Sequence, residues 1–209
     1  MIILSHRGYW KSVQEKNTLV AFNRSYSFSF GTETDLRDID GKLVISHDPA
    51  LRGALSVKDF FSAYKQHAQN LPLALNIKAD CLQKMLATVL SEYQIQNYFV
   101  FDMSVPDMIG YINAGLRVFT RQSEYEPNPV LYEQSQGVWA DSFNENWIDE
   151  ATLENHLNRG KQVCLVSPDL HGRPFEAFWE RLARMSVTTS PELMICTDHP
   201  EQARKIFHE

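Results

Sequence analysis

Eight short apolar runs, each followed by a stretch of helical character, leave few folds open to this chain. The runs cover residues 2–5, 32–37, 73–77, 98–101, 116–120, 137–141, 162–166 and 193–196, and have the length and composition of buried parallel strands. After them the sequence predicts helices near residues 18–28, 57–67, 82–93, 106–114, 129–134, 149–157, 174–185 and 200–207. Asp149 is placed to cap its helix, Gly115 and Gly160 stand where helices stop, and Pro106, Pro174 and Pro200 suit first turns. Such a series, with no break in composition, predicts one α/β domain over residues 1–209, a (β/α)8 TIM barrel. The barrel must be compact, because chains of this architecture typically run to about 250 residues.

One excursion interrupts the alternation. Residues 38–47 carry Asp40-Gly41 ahead of alternating apolar positions, which predicts a small β-hairpin inserted after the second strand. It returns the chain, with His47, to that strand's end. Twenty basic residues against 26 acidic ones give a net charge of −6, so nucleic acid is not an expected partner. No apolar run approaches the roughly 18 residues of a membrane span, and His6 arrives too early for a signal peptide. A soluble, cytoplasmic protein is expected. Cys81, Cys164 and Cys196 lack Cys-x-x-Cys spacing and are expected as buried core residues.

In a barrel the chemistry gathers at the carboxyl ends of the strands, and here those ends are polar. The first finishes in His6 and Arg7, the second in Glu33, Asp35 and Arg37, the third in Asn76 and Lys78, the fourth in Asp102. Later strands end in Arg121, Asp141, Ser167 and Asp198. Strand alternation puts Glu33, Asp35 and Arg37 on one face, and Asn76 with Lys78 on one face. Two close carboxylates without a Cys or His pair at ligand spacing suit a hard cation, Mg²⁺ or Ca²⁺, better than zinc. His6 and His47 can carry protons near neutral pH, and Arg7 and Lys78 bring positive charge. Together these groups match what displacement at phosphorus demands.

The same residues resemble the glycerophosphodiester phosphodiesterase family. The resemblance is carried by His6-Arg7-Gly8, Asn17-Thr18, Glu33-Thr34-Asp35-Leu36-Arg37, Asp40-Gly41 with Leu43-Val44, His47-Asp48 and the closing Thr197-Asp198-His199-Pro200. It implies a metal-dependent phosphodiesterase acting on a small-molecule glycerophosphodiester or related diester. His6 and His47 would be its acid–base pair, Glu33 and Asp35 its metal ligands, Arg7 a phosphate contact and Lys78 a second phosphate or metal-shell contact. Two departures matter. Asn76-Ile77-Lys78 stands where the family has Glu-x-Lys, so the third metal ligand would be the Asn76 amide, with Asp102, Glu124 or Asp141 as stand-ins. Residues 166–173, with Ser167, His171 and Arg173, replace the family's tryptophan-containing motif and are candidates for a sugar or second-phosphate contact, or a solvated loop.

Two rival readings accompany this one: a catalytically silent phosphate-binding barrel, and a phospholipase-like lyase on a larger head group. His67, His156, His199 and His208 are expected at the surface. Phe22, Tyr26, Phe28 and Phe30 are expected to pack the first helix on the barrel. Arg121 with Glu124 and Glu126 reads equally as a salt-bridged loop or a substrate clamp.

Overall fold

The computed structural model describes residues 1–67 and 70–208. Its strands are β1 (Ile2–His6), β2 (Gly31–Ile39), β3 (Lys42–Ile45), β4 (Leu73–Ile77), β5 (Tyr98–Phe101), β6 (Phe119–Gln122), β7 (Gly137–Ala140), β8 (Gln162–Val166) and β9 (Leu193–Thr197). The helices are α1 (Leu19–Ser27), α2 (Val57–His67), α3 (Gln83–Glu92), α4 (Val105–Asn113), α5 (Glu150–Asn158), α6 (Glu176–Ala183) and α7 (Pro200–His208). Eight strands are parallel and β3 runs antiparallel to β2, so the expected (β/α)8 barrel with its hairpin after the second strand is present.

The chain divides into two compact units, residues 6–118 and residues 1–5 with 119–209. In the first, β2 pairs with β4 and β4 with β5. The β2–β4 register sets Glu33 opposite Ala74 and Asp35 opposite Asn76. Asp40 and Gly41 take φ of 50° and 72°, the double left-handed geometry of a type I′ turn. The turn lays β3 back along β2, Leu36 opposite Ile45. Beneath the sheet, Phe22 of α1 meets Phe60 of α2 edge to face at 4.6 Å. Tyr26 and Phe30 are buried with them, whereas Phe28 is exposed.

In the second unit β1, β9, β8, β7 and β6 lie side by side. Leu153, Trp179, Leu182 and Ala203 bury the helix faces, and Cys164 and Cys196 fill the strands as expected. Asp149 caps α5, accepting from the Thr152 amide at 2.9 Å.

Three expectations are corrected. Residues 129–134 form no helix: they are hydrogen-bonded turns, with Leu131 at a left-handed φ of 53° that a helix does not admit. Cys81 is exposed, also left-handed at φ 66°, at the turn into α3. His156 is buried: its Nε2 donates to Gln122 Oε1 at 2.7 Å while Nδ1 accepts from Tyr132 Oη at 2.8 Å. Burial, with Arg159 nearby, holds the His156 pKa below its ordinary value, so both bonds are those of a neutral imidazole.

Candidate active site

The site in the first unit begins with a turn that only one residue can close. Arg7 and Gly8 are both left-handed, φ 56° and 81°, and a Cβ on Gly8 would lie 2.9 Å from the backbone and Cβ of Ala21 in α1. Glycine is therefore required on two counts. The strained Arg7 backbone is held from both sides: its N–H donates to Glu33 Oε2 at 3.1 Å and its carbonyl accepts from the Asn17 amide at 3.0 Å. The turn places the guanidinium Nε of Arg7 3.0 Å from Asp35 Oδ2.

Glu33 and Asp35 are both buried, which for carboxylates demands compensation. Asp35 receives it from Arg7, from Asn17 Nδ2 at 2.8 Å and from Lys78 Nζ at 3.6 Å. Lys78 also stands 4.0 Å from Asp102. Glu33 receives less: the Arg7 amide, and His6 Nε2 at 3.9 Å. Burial first, and the Asp35 charge second, push the Glu33 pKa well above the usual carboxylate range, with Arg7 and Lys78 opposing the rise. The cluster is short of positive charge at Glu33.

Asp35 Oδ1 and Asn76 Oδ1 are buried oxygens that accept no hydrogen bond. They belong to residues that face each other across β2 and β4. Asn76 Nδ2 donates to Asp102 Oδ2 at 3.4 Å, which turns the amide so that its oxygen is the unused end. A hard cation takes such oxygens, charged or neutral, and the unmet demand at Glu33 has the matching sign. The donor chemistry therefore fits Mg²⁺ or Ca²⁺. The set is two carboxylates with one amide: among the described residues no group of three or more His, Cys, Asp or Glu side chains is arranged to hold a metal ion.

The hairpin brings His47 back to this strand end. Ser46 N–H donates to the Asp35 carbonyl at 3.0 Å, and Arg37 Nε donates to the His47 carbonyl at 3.0 Å. The imidazole is nearly half exposed and its Nδ1 bonds Asp48 Oδ1 at 2.9 Å. His47 and Arg7 line the same cleft, of about 950 Å³. The structure thus joins His6, Arg7, Glu33, Asp35, Asn76 and Lys78 into one contiguous charged cluster, and sets His47 in the cleft that Arg7 shares.

Asn17 is the member whose task the sequence did not disclose. It accepts from Thr34 Oγ1 at 2.9 Å while donating to Asp35, fixing both β2 side chains from the mouth of α1. The signal was its own left-handed φ of 60°, a conformation Asn favours but sequence spacing does not reveal.

The second unit holds the other polar cluster. His171 Nε2 donates to Asp141 Oδ1 at 2.6 Å, and that bond raises the His171 pKa. Arg173 donates to the Ser142 carbonyl at 2.6 Å and to Asn146 Oδ1 at 3.0 Å. Ser167 is buried under the Trp179 indole N–H. The segment 166–173 is bound to its neighbours rather than solvated. Glu124 accepts the amides of Phe143 and Asn144, and Arg121 pairs with Glu126, the salt-bridged form of that loop. Asp102 is thus the stand-in carboxylate that lies beside Asn76.

No protein-family model matches the sequence, and no curated protein does. Solved structures do match in fold. A glycerophosphodiester phosphodiesterase from Agrobacterium tumefaciens aligns over 100% of both chains, TM-score 0.71, at 16% identity. One from Thermotoga maritima covers 99% of this chain and 98% of its own, TM-score 0.67, at 18% identity. An Oleispira antarctica phosphodiesterase, solved with the product sn-glycerol-3-phosphate, covers 100% and 97%, TM-score 0.67, at 12% identity. The chain thus resembles in fold the glycerophosphodiester phosphodiesterases, full length against full length.

Proposed function

We propose that this single barrel domain is a metal-dependent phosphodiesterase that cleaves a glycerophosphodiester or related phosphodiester. The observation that carries the reading is the pair of buried oxygens on Asp35 and Asn76 that accept no hydrogen bond, the first facing Lys78 Nζ at 3.6 Å, beside a buried Glu33, with Arg7 and His6 in the same cluster. Glu33, Asp35 and Asn76 would hold the cation, Mg²⁺ or Ca²⁺, which when bound supplies Lewis-acid charge neutralisation to a phosphoryl oxygen.

The chain's own residues do the rest. Arg7 and Lys78 offset the negative charge that gathers on the non-bridging oxygens. A hydroxyl oxygen, from water or from the substrate, forms the new bond to phosphorus as the bond to the leaving alcohol breaks. One imidazole of the His6 and His47 pair takes the attacking proton and the other, already protonated, delivers one to the leaving alkoxide. The Asp48 carboxylate on Nδ1 of His47 would fix the tautomer and orientation of that ring, leaving Nε2 to exchange the proton.

The test is turnover of bis(p-nitrophenyl) phosphate and glycerophosphocholine with Mg²⁺, Ca²⁺, Mn²⁺ or chelator. Hydrolysis that requires the cation and is lost in Glu33→Ala supports the reading. Metal-independent hydrolysis that survives Glu33→Ala overturns the mechanism. Phosphate binding without turnover of any diester would make the barrel a silent phosphate-binding domain.

A further inference from the structure

The cleft that contains Arg7 and His47 extends well beyond them. One wall is residues 13–20 and the other residues 45–55. Both walls are preformed. Glu15 accepts the Lys11 amide at 2.8 Å and pairs with Arg24 at 2.6 Å, tying the first wall to α1. Ile45 N–H donates to the Leu55 carbonyl at 2.8 Å and Ala54 N–H to the Leu51 carbonyl at 3.1 Å, closing the second into a fixed loop.

What the walls present is aliphatic. Val13, Leu19, Val20, Ile45, Leu51 and Leu55 line the cleft, and Val13, Val20 and Leu51 are 66%, 56% and 79% exposed. Three large aliphatic side chains held out to water around one opening call for an apolar occupant. The charged residues that line it are Arg7, whose Nε pairs with Asp35, Lys16, which lies over the Trp10 ring at 4.4 Å, and Arg52, against the single carboxylate of Asp48, which His47 engages. Among the described residues lining the cleft there is no Phe, Tyr or Trp. A quaternary ammonium head would want aromatic faces and net negative charge; this cleft offers aliphatic walls and positive charge.

Resting on the phosphodiesterase reading, we propose that this cleft is a substrate subsite for a hydrocarbon chain. The substrate class would be an anionic phosphodiester bearing an alkyl or acyl chain, its phosphate at Arg7 and its chain along Val13, Val20 and Leu51. Compact head groups such as glycerophosphocholine would leave these walls wet.

The experiment is a series of alkyl p-nitrophenyl phosphates, methyl to octyl, kept below their micellar concentrations. kcat/KM should rise by roughly two- to fourfold per methylene, the span from half to full burial of each CH₂. Leu51→Asp and Val20→Asp, both at exposed positions, should lower the octyl-to-methyl ratio at least about tenfold, since each removes burial for several methylenes. Calorimetric binding of octyl phosphate against methyl phosphate reads the cleft without turnover. Chain-dependent binding with no turnover of any diester would support the subsite and overturn the diesterase reading. Turnover with a flat chain-length profile would do the reverse. A dimer that Leu51→Asp dissociates and octyl phosphate does not would assign the cleft to a second copy of the chain and overturn the subsite.

Discussion

The two polar clusters, Glu33/Asp35/Asn76 in one unit and Asp141/His171/Arg173 in the other, look alike in sequence: each combines carboxylates, a histidine and an arginine at strand ends. Their electrostatics are opposite. In the first, the Glu33 pKa is pushed up because its charged form is poorly compensated. In the second, the His171 pKa is pushed up because its charged form has a partner in Asp141. An upward shift on an acid records unmet demand, and the same shift on a base records demand already met. On the proposed reading the first cluster would take a ligand, whereas the ionic groups of the second are largely spent on one another.

The largest effects should break this symmetry most sharply. His6→Ala or His47→Ala should lower kcat on glycerophosphocholine, whose leaving alkoxide needs a proton, by roughly 10²–10⁴, the usual worth of positioned proton transfer. His171→Ala should stay within about threefold, as expected of a residue outside the chemistry. Equal losses at 47 and 171 would erase the distinction.

Next come the two left-handed glycines that serve these clusters. Gly8 and Gly172 have φ of 81° and 67°, but only the first has a crowded Cβ position; around Gly172 there is open space. Gly172→Ala should cost about 1 kcal/mol of unfolding free energy from backbone strain alone. Gly8→Ala adds overpacking against Ala21 and should cost about 2–4 kcal/mol. Urea midpoints of the two variants check the ranking.

A subtler change sharpens the reading of Asn76. Asn76→Glu restores a third carboxylate but sets it beside Asp102 in place of the amide bond now made there. In chelator the variant should melt lower than the parent; with saturating Mg²⁺ or Ca²⁺ the order should narrow or reverse, because binding to the folded state alone raises its stability. A cation-independent difference in melting temperature would remove Asn76 from the ligand set.

Much of this was legible in the sequence for identifiable reasons. Buried parallel strands need continuous apolar runs, so β1, β4, β5, β7, β8 and β9 stood out to within a residue, and Asp40-Gly41 announced its hairpin because few residue pairs tolerate two left-handed positions. β6 lies later than the run at residues 116–120, at Phe119–Gln122, because that run includes the approach to the strand as well as its start. The charged strand ends of β2 and β4 were visible because apolar strands tolerate no other explanation for so many ions. What stayed hidden depends on partners distant in sequence. Periodicity puts His156 on a helix without showing the Tyr132 and Gln122 groups that make its burial affordable. Nor does it show that Leu131 turns left-handed and ends a helix before it starts, or that Asn17 reaches back to Asp35.

The smallest predicted effect concerns the balanced pair. His171 has a raised pKa in the folded protein, so its bond to Asp141 adds stability that is fully present below the ordinary histidine value of about 6.5 and disappears as pH rises through the folded value. The pair is partly solvated, so the contribution should stay under about 1 kcal/mol. Asp141→Asn keeps a hydrogen-bond acceptor but removes the charge. The difference in unfolding free energy between parent and Asp141→Asn should therefore be largest near pH 5.5 and shrink toward pH 8.5 or so, as the imidazolium is titrated. Glu33→Gln, measured in chelator, should show the complementary trend. Its parent loses stability as Glu33 is forced to ionise on raising the pH, so the advantage of the neutral variant should grow with pH. A His171–Asp141 difference that also grew with pH would mean the imidazole is neutral in the folded protein, and the contrast between a satisfied and an unsatisfied cluster would fail at its simpler half.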